Sequence, residues 1–105
     1  MDQPPISREE YVRQVLEAYC HTSGTTGTVR RPDRLLAAQL HQRGVPLTPV
    51  ENALILAAAR RLLRSNTAPP LAMVRSLAYF LPVIEEVLQL KYIRRRLQRF
   101  NSAHT

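Results

Sequence analysis

Apolar residues recur along this chain at helical spacing, and no stretch alternates as a half-buried strand does. Tyr11, Val12, Val15, Leu16 and Tyr19 form one stripe and predict a first helix over residues 8–20. Ser7 stands at its cap, Glu10 three residues on completes a capping box, and Ile6 with Tyr11 occupies the staple positions. Residues 21–28 are Ser/Thr-rich with two glycines, which predicts a flexible linker. A second helix is expected from Pro32 or Asp33, with Leu35, Leu36, Ala38 and Leu40 as its apolar side and Gly44 as its left-handed stop. Pro46 then holds Val45 extended.

Thr48, Pro49 and Glu51 read as cap, first helical residue and capping-box acid of a third helix over 49–64. Residues 53–59 are apolar without a break, so this helix is expected to be central and buried. Arg60, Arg61 and Arg64 fall in its last turns, where cations complement the helix dipole. Residues 65–70 read as a turn and 71–75 as a single helical turn. Ser76 reads as the cap of a last helix that must kink or restart near Pro82. From there Val83, Val87, Leu90, Ile93, Leu97 and Phe100 share a stripe, assigned to the bundle core. Lys91, Arg95 and Arg99 make a row on the far side, with Tyr92 near Arg99 by helical angle. The expected fold is all-α, a small orthogonal bundle of four to five helices with a long basic C-terminal helix.

The 105 residues fit one domain, 1–105, with flexible segments expected at 1–6, 22–31 and 101–105. A two-domain cofactor-binding α/β enzyme would not fit. The longest apolar run is seven residues, against about 20 for a membrane span. The start, Met-Asp-Gln-Pro-Pro, does not read as a signal peptide. The lone Cys20 allows no internal disulfide and suggests a reducing, cytoplasmic setting.

Charge changes the picture more than composition does. The chain carries +7, and all of it lies beyond Asn52, because the first 52 residues hold six basic and six acidic side chains. No acid follows Glu86, while Lys91, Arg94, Arg95, Arg96 and Arg99 crowd together. Fourteen of the 15 basic residues are arginine, a bias that GC-rich coding also produces, but coding bias does not explain the uneven placement. An acid-free basic segment calls for an anionic partner or a solvated face.

Catalytic and metal chemistry finds little footing. His21, His41, His104 and Cys20 have no zinc-ligand spacing, so neither metal nor cofactor is expected. Glu85 and Glu86 point about 100° apart on a helix and are expected to pair with nearby arginines. The Gly-containing segment 21–28 lacks the Gly-Lys-Ser/Thr ending of a phosphate loop. No nucleophile is set beside a base, so an enzyme is not expected. The Gly44–Val50 turn has the look of a helix-turn-helix, yet the helix after it offers only Glu51 and Asn52 before turning apolar, which is poor equipment for reading base edges.

Gly44-Val-Pro-Leu-x-x-Val50-x-x-Ala53, followed by Ser76-Leu-Ala-Tyr79-Phe-Leu-Pro-Val-Ile-Glu-Glu-Val-Leu88, resembles the helical modules of bacterial replication-initiation proteins of the DnaD-like and plasmid or phage replisome-organiser type. The resemblance covers roughly residues 33–88. It implies a core role for the segment holding Tyr79 and DNA contact by the basic tail behind it. It also implies a setting in replication or mobile-element DNA transactions. Together these readings predict a small non-catalytic accessory protein that binds nucleic acid, DNA rather than RNA, with no membrane partner. Its expected contacts are Lys91, Arg94, Arg95, Arg96 and Arg99, extended by Arg60, Arg61 and Arg64. The alternative is a protein-interaction subunit, adaptor or homodimer, that docks through the apolar stripe of the last helix.

Overall fold

A computed structural model describes residues 6–65 and 67–103. Among these residues there are four helices: α1 (Arg8–His21), α2 (Arg31–Gln42), α3 (Leu47–Leu62) and α4 (Leu81–Ala103). A short 3-10 turn, Leu77–Phe80, leads directly into α4. Among the described residues there is no strand, only one isolated bridge between Thr25 and Val74. The chain is a small all-α bundle.

Local chemistry sets several of these boundaries. Ser7 Oγ accepts the Glu10 N–H at 3.1 Å and starts α1. The Glu10 carboxylate turns outward to Arg13 and Gln14, so only half of the expected capping box forms. α2 stops through Gly44, at φ +76°, with Val45 N–H reaching back to Leu40 O at 3.0 Å and Gly44 N–H to His41 O at 2.9 Å. Ser76 Oγ accepts the Ala78 N–H, and the chain passes through the 3-10 turn before Pro82 takes the second position of α4. Pro82 thus sits where its missing N–H would have no helical partner in any case.

Three expectations need correction. α3 begins at Leu47, two residues ahead of the expected start at Pro49, with extended Pro46 rather than Thr48 as its cap residue. Leu47 packs against the core, and Pro49 is tolerated at the third position because the first N–H groups of a helix are unpartnered there. α3 is also not buried all round. Val50, Ala53, Leu54 and Ala57 face the core, but Ile55 is 68% and Leu62 73% exposed. Finally, residues 71–75 form no helical turn. They run extended, because Val74 N–H donates to Gly24 O at 2.8 Å and Val74 O accepts the Thr26 N–H at 3.0 Å. The expected linker at 21–28 is therefore clipped to Val74, with Gly24 and Gly27 both at positive φ.

The core gathers Tyr11, Val15 and Tyr19 from α1, Leu40 from α2 and Leu54 from α3, with Leu77, Phe80 and Ile84 from the last segment. One carboxylate is buried among them. Asp33, 2% exposed, accepts the Arg30 N–H at 2.8 Å and, from the far end of the chain, the Leu77 N–H at 2.9 Å. It caps α2 and the 3-10 turn at once, which satisfies both of its oxygens.

Candidate nucleic-acid interface

α4 is anchored only over its first turns. Ile84 is fully buried, and Leu81, Val83, Val87 and Leu88 pack against the core. Two ion pairs hold this part: Glu85 to Arg43 at 2.7 Å and Glu86 to Arg60 at 2.5 and 2.8 Å. The expected pairing of Glu85 and Glu86 with arginines is what the structure shows. The bidentate Arg60 guanidinium holds the Glu86 carboxyl below its ordinary range.

Beyond Leu88 the helix leaves the body. Every residue from 89 to 101 is exposed. The expected flexible end at 101–105 is helical as far as Ala103, while residues 1–5, Asn66, His104 and Thr105 lie outside the described residues. Fifteen residues of helix extend about 22 Å. The radius of gyration, 16.0 Å, exceeds the roughly 13 Å of a compact chain of this length for the same reason.

The assignment of the whole apolar stripe to the core is therefore overturned. Leu90 is 55% exposed, Ile93 43%, Leu97 57% and Phe100 61%. Helical geometry gives the reason. At about 100° per residue, the positions that rest on the body centre on Ile84. The distal stripe of Leu90, Ile93, Leu97 and Phe100 lies about 150° round the helix from them. Val83 and Val87 bridge the two faces, which is why they read as one in the sequence.

Lys91, Arg95 and Arg99 continue the other side, within about 60° of the body-facing midline and opposite the distal stripe. Among the described residues, the side chains of Lys91, Arg94, Arg95 and Arg99 make no ion pair or hydrogen bond, and the Arg96 guanidinium stands over the Tyr92 ring at 5.9 Å. Tyr92 thus partners Arg96, one turn on, rather than Arg99. The like charges of the row, four residues apart, repel one another and leave the segment without compensation from its own chain.

The three α3 arginines do not join this row. Arg60 is committed to Glu86. Arg61 donates to Ala72 O at 2.8 Å and to the Tyr79 hydroxyl at 3.2 Å. Arg64 donates to Pro69 O at 2.9 Å. They fasten Pro69, Ala72 and α4 to α3. The segment holding Tyr79 packs in the core through Leu77 and Phe80, while Tyr79 itself is 48% exposed.

No family model, curated protein or solved structure matches this chain. No helix among the described residues is long and apolar enough to cross a membrane. Among those residues, no three His, Cys, Asp or Glu side chains come together as a metal site. Cys20 is a half-buried free thiol. What sequence reasoning missed lies elsewhere: the double duty of Asp33, and an apolar groove beside α3. The signal for the groove was present in Ile55 and Leu62, which share a side of α3 with Glu51.

Proposed function

We propose that this chain is a non-catalytic nucleic-acid-binding protein, and that the projecting half of α4 carries the contact. One observation supports this above the rest: five cations on an exposed helix, with no carboxylate within the same stretch to neutralise them. Phosphates would relieve the repulsion along Lys91, Arg95 and Arg99, while Arg94 and Arg96 widen the strip. Such contacts supply affinity and register rather than base reading. Arg60, Arg61 and Arg64 drop out of the contact set because each has an intramolecular partner.

The resemblance to replication-initiation modules points to replication or mobile-element DNA as the setting, and so to DNA ahead of RNA. A reducing, cytoplasmic compartment goes with the lone thiol.

Fluorescence anisotropy with labelled single-stranded DNA, duplex DNA and RNA across a salt series tests the reading. Four to five phosphate contacts on duplex give a slope of log affinity against log salt of about −4. Arg95→Glu combined with Arg99→Glu is expected to weaken binding at least tenfold with an unchanged circular dichroism spectrum. Equal binding by the double variant, or no binding at low salt, overturns the assignment.

A further inference from the structure

Positive charge also collects away from the projecting half of α4. A cleft of about 370 Å³ opens between the last turns of α3, the chain at Leu71 and the start of α4, lined by Arg60, Arg61, Arg64, Leu71, Tyr79 and Val83. A smaller hollow of about 220 Å³ adjoins it, and Arg61, Arg64 and Leu71 line both. Arg60 spends its charge on Glu86, which it grips through two N–H groups. Among the described residues no carboxylate pairs with Arg61 or Arg64. Three guanidiniums therefore outweigh one carboxylate and the negative end of the α3 dipole.

The partners of Arg61 and Arg64 fix these side chains without exhausting them. A guanidinium carries five N–H groups. Among the described residues, Arg61 gives one to Ala72 O and one to the Tyr79 hydroxyl, and Arg64 gives one to Pro69 O. The Arg61 guanidinium also lies over the Tyr79 ring, 5.7 Å from its centre. A Cβ on Gly24 would stand 3.0 Å from Arg61 Nε, so a side chain there would push the guanidinium aside. Donors held in place before a ligand arrives lose little freedom when it binds.

We propose that this cleft binds a phosphate monoester, with the phosphate oxygens on the remaining N–H groups of Arg61 and Arg64 and the organic part against Leu71, Val83 and the Tyr79 ring. The pair of Arg60 and Glu86 shows on the same helix that one carboxylate engages one guanidinium fork. Two further forks suit a group with more oxygens and close to twice the charge, which a phosphate monoester has near neutral pH. The Tyr79 hydroxyl accepts from Arg61 and keeps its own proton for a phosphate oxygen. The cleft stands at the small end of ligand sites, so it suits a single nucleotide or a smaller organic phosphate and not a duplex. It shares no residue with the row of Lys91, Arg95 and Arg99 and does not depend on what that row binds. A free nucleotide and the phosphorylated end of a nucleic-acid strand offer it the same chemistry.

Calorimetric titration with adenosine monophosphate and with adenosine tests this on the full chain carrying Arg95→Glu and Arg99→Glu, so that the α4 row adds little to the signal. Adenosine monophosphate is expected to bind with a Kd below about 1 mM, and adenosine at least about tenfold more weakly. Adding Arg64→Gln is expected to cost about tenfold with an unchanged circular dichroism spectrum, and Arg64→Lys, which keeps the charge without the fork, to fall between. Amide shifts on binding are expected at residues 61–64 and 71–79. No saturable binding at about 10 mM, equal binding of adenosine, or undiminished binding by Arg64→Gln overturns the proposal. An oligonucleotide whose terminal phosphate tightens its binding, a gain lost in Arg64→Gln, assigns the phosphate to a strand end. Binding of adenosine monophosphate without that gain assigns it to a free nucleotide.

Discussion

In the first two turns of α4, Ile84 is fully buried, and Glu85 and Glu86 are clamped by Arg43 and Arg60. Over residues 89–101, nothing is buried and no acid is present. The apolar pattern runs through both halves without interruption, yet the two halves use different sides of the helix. Periodicity states which residues share a face. It does not state what covers that face, because the cover comes from segments remote in the chain.

The largest break in this comparison is a pair of truncations. Ile84→Ala is expected to cost about 2–5 kcal/mol by urea unfolding, since it opens a cavity in a filled core. Leu97→Ala, measured at concentrations where the chain is monomeric, is expected to stay within about 0.5 kcal/mol of wild type. A similar cost for both would mean that the distal stripe packs within the monomer.

Asp33→Ala comes next, at about 3 kcal/mol, because it strips a charged acceptor from two N–H groups, one of them buried at the start of the 3-10 turn. Its effect is expected on the anchored half alone, seen as faster amide exchange at residues 77–88 with no change at 90–101.

A smaller difference separates two core tyrosines. Tyr11→Phe loses the 2.8 Å bond from its hydroxyl to Val45 O and is expected to cost about 1 kcal/mol. Tyr19 Oη is buried with no partner among the described residues, so Tyr19→Phe is expected to be neutral or stabilising in the same melts. Burial pushes the Tyr11 phenol up to about 12. Its contribution is thus complete below pH 10 and is lost as pH rises toward 12, which a series of alkaline melts reads directly.

The smallest effect concerns the clamp itself. Arg60 lowers the Glu86 carboxyl, so the pair stabilises above the ordinary carboxylate range and fades as pH falls through the lowered value. The stability gap between wild type and Glu86→Gln is expected to shrink from pH 6 downward. A gap that holds constant into acid would show that the charge contributes nothing to the anchor.

The elements whose cause is local were legible in the chain: Ser7 at the start of α1, Gly44 at the end of α2, and Ser76 with Pro82 at the restart before α4. Thr48 misled because Thr, Pro and Glu stand in ideal order, whereas burial of Leu47 draws the helix start forward. The pairing of Thr26 with Val74 was out of reach, since neither segment advertises a strand. The basic row was visible as charge spacing alone. Its exposure, and the partners that remove Arg60, Arg61 and Arg64 from it, depend on the packing of α3 against the last segment.

Asp33 has a consequence for the chain as it is made. The charge divides this protein into a neutral half and a basic half, which invites cutting it in two. Yet the carboxylate in the first part takes one of its two backbone donors from Leu77, 44 residues later. Without Leu77 docked, one oxygen of that carboxylate has no backbone donor. A fragment ending before Leu77 would lack both that donor and the side chains of Leu77, Phe80 and Ile84. A chain that stops short of these residues is therefore expected to lack the packed body on which the basic helix is anchored.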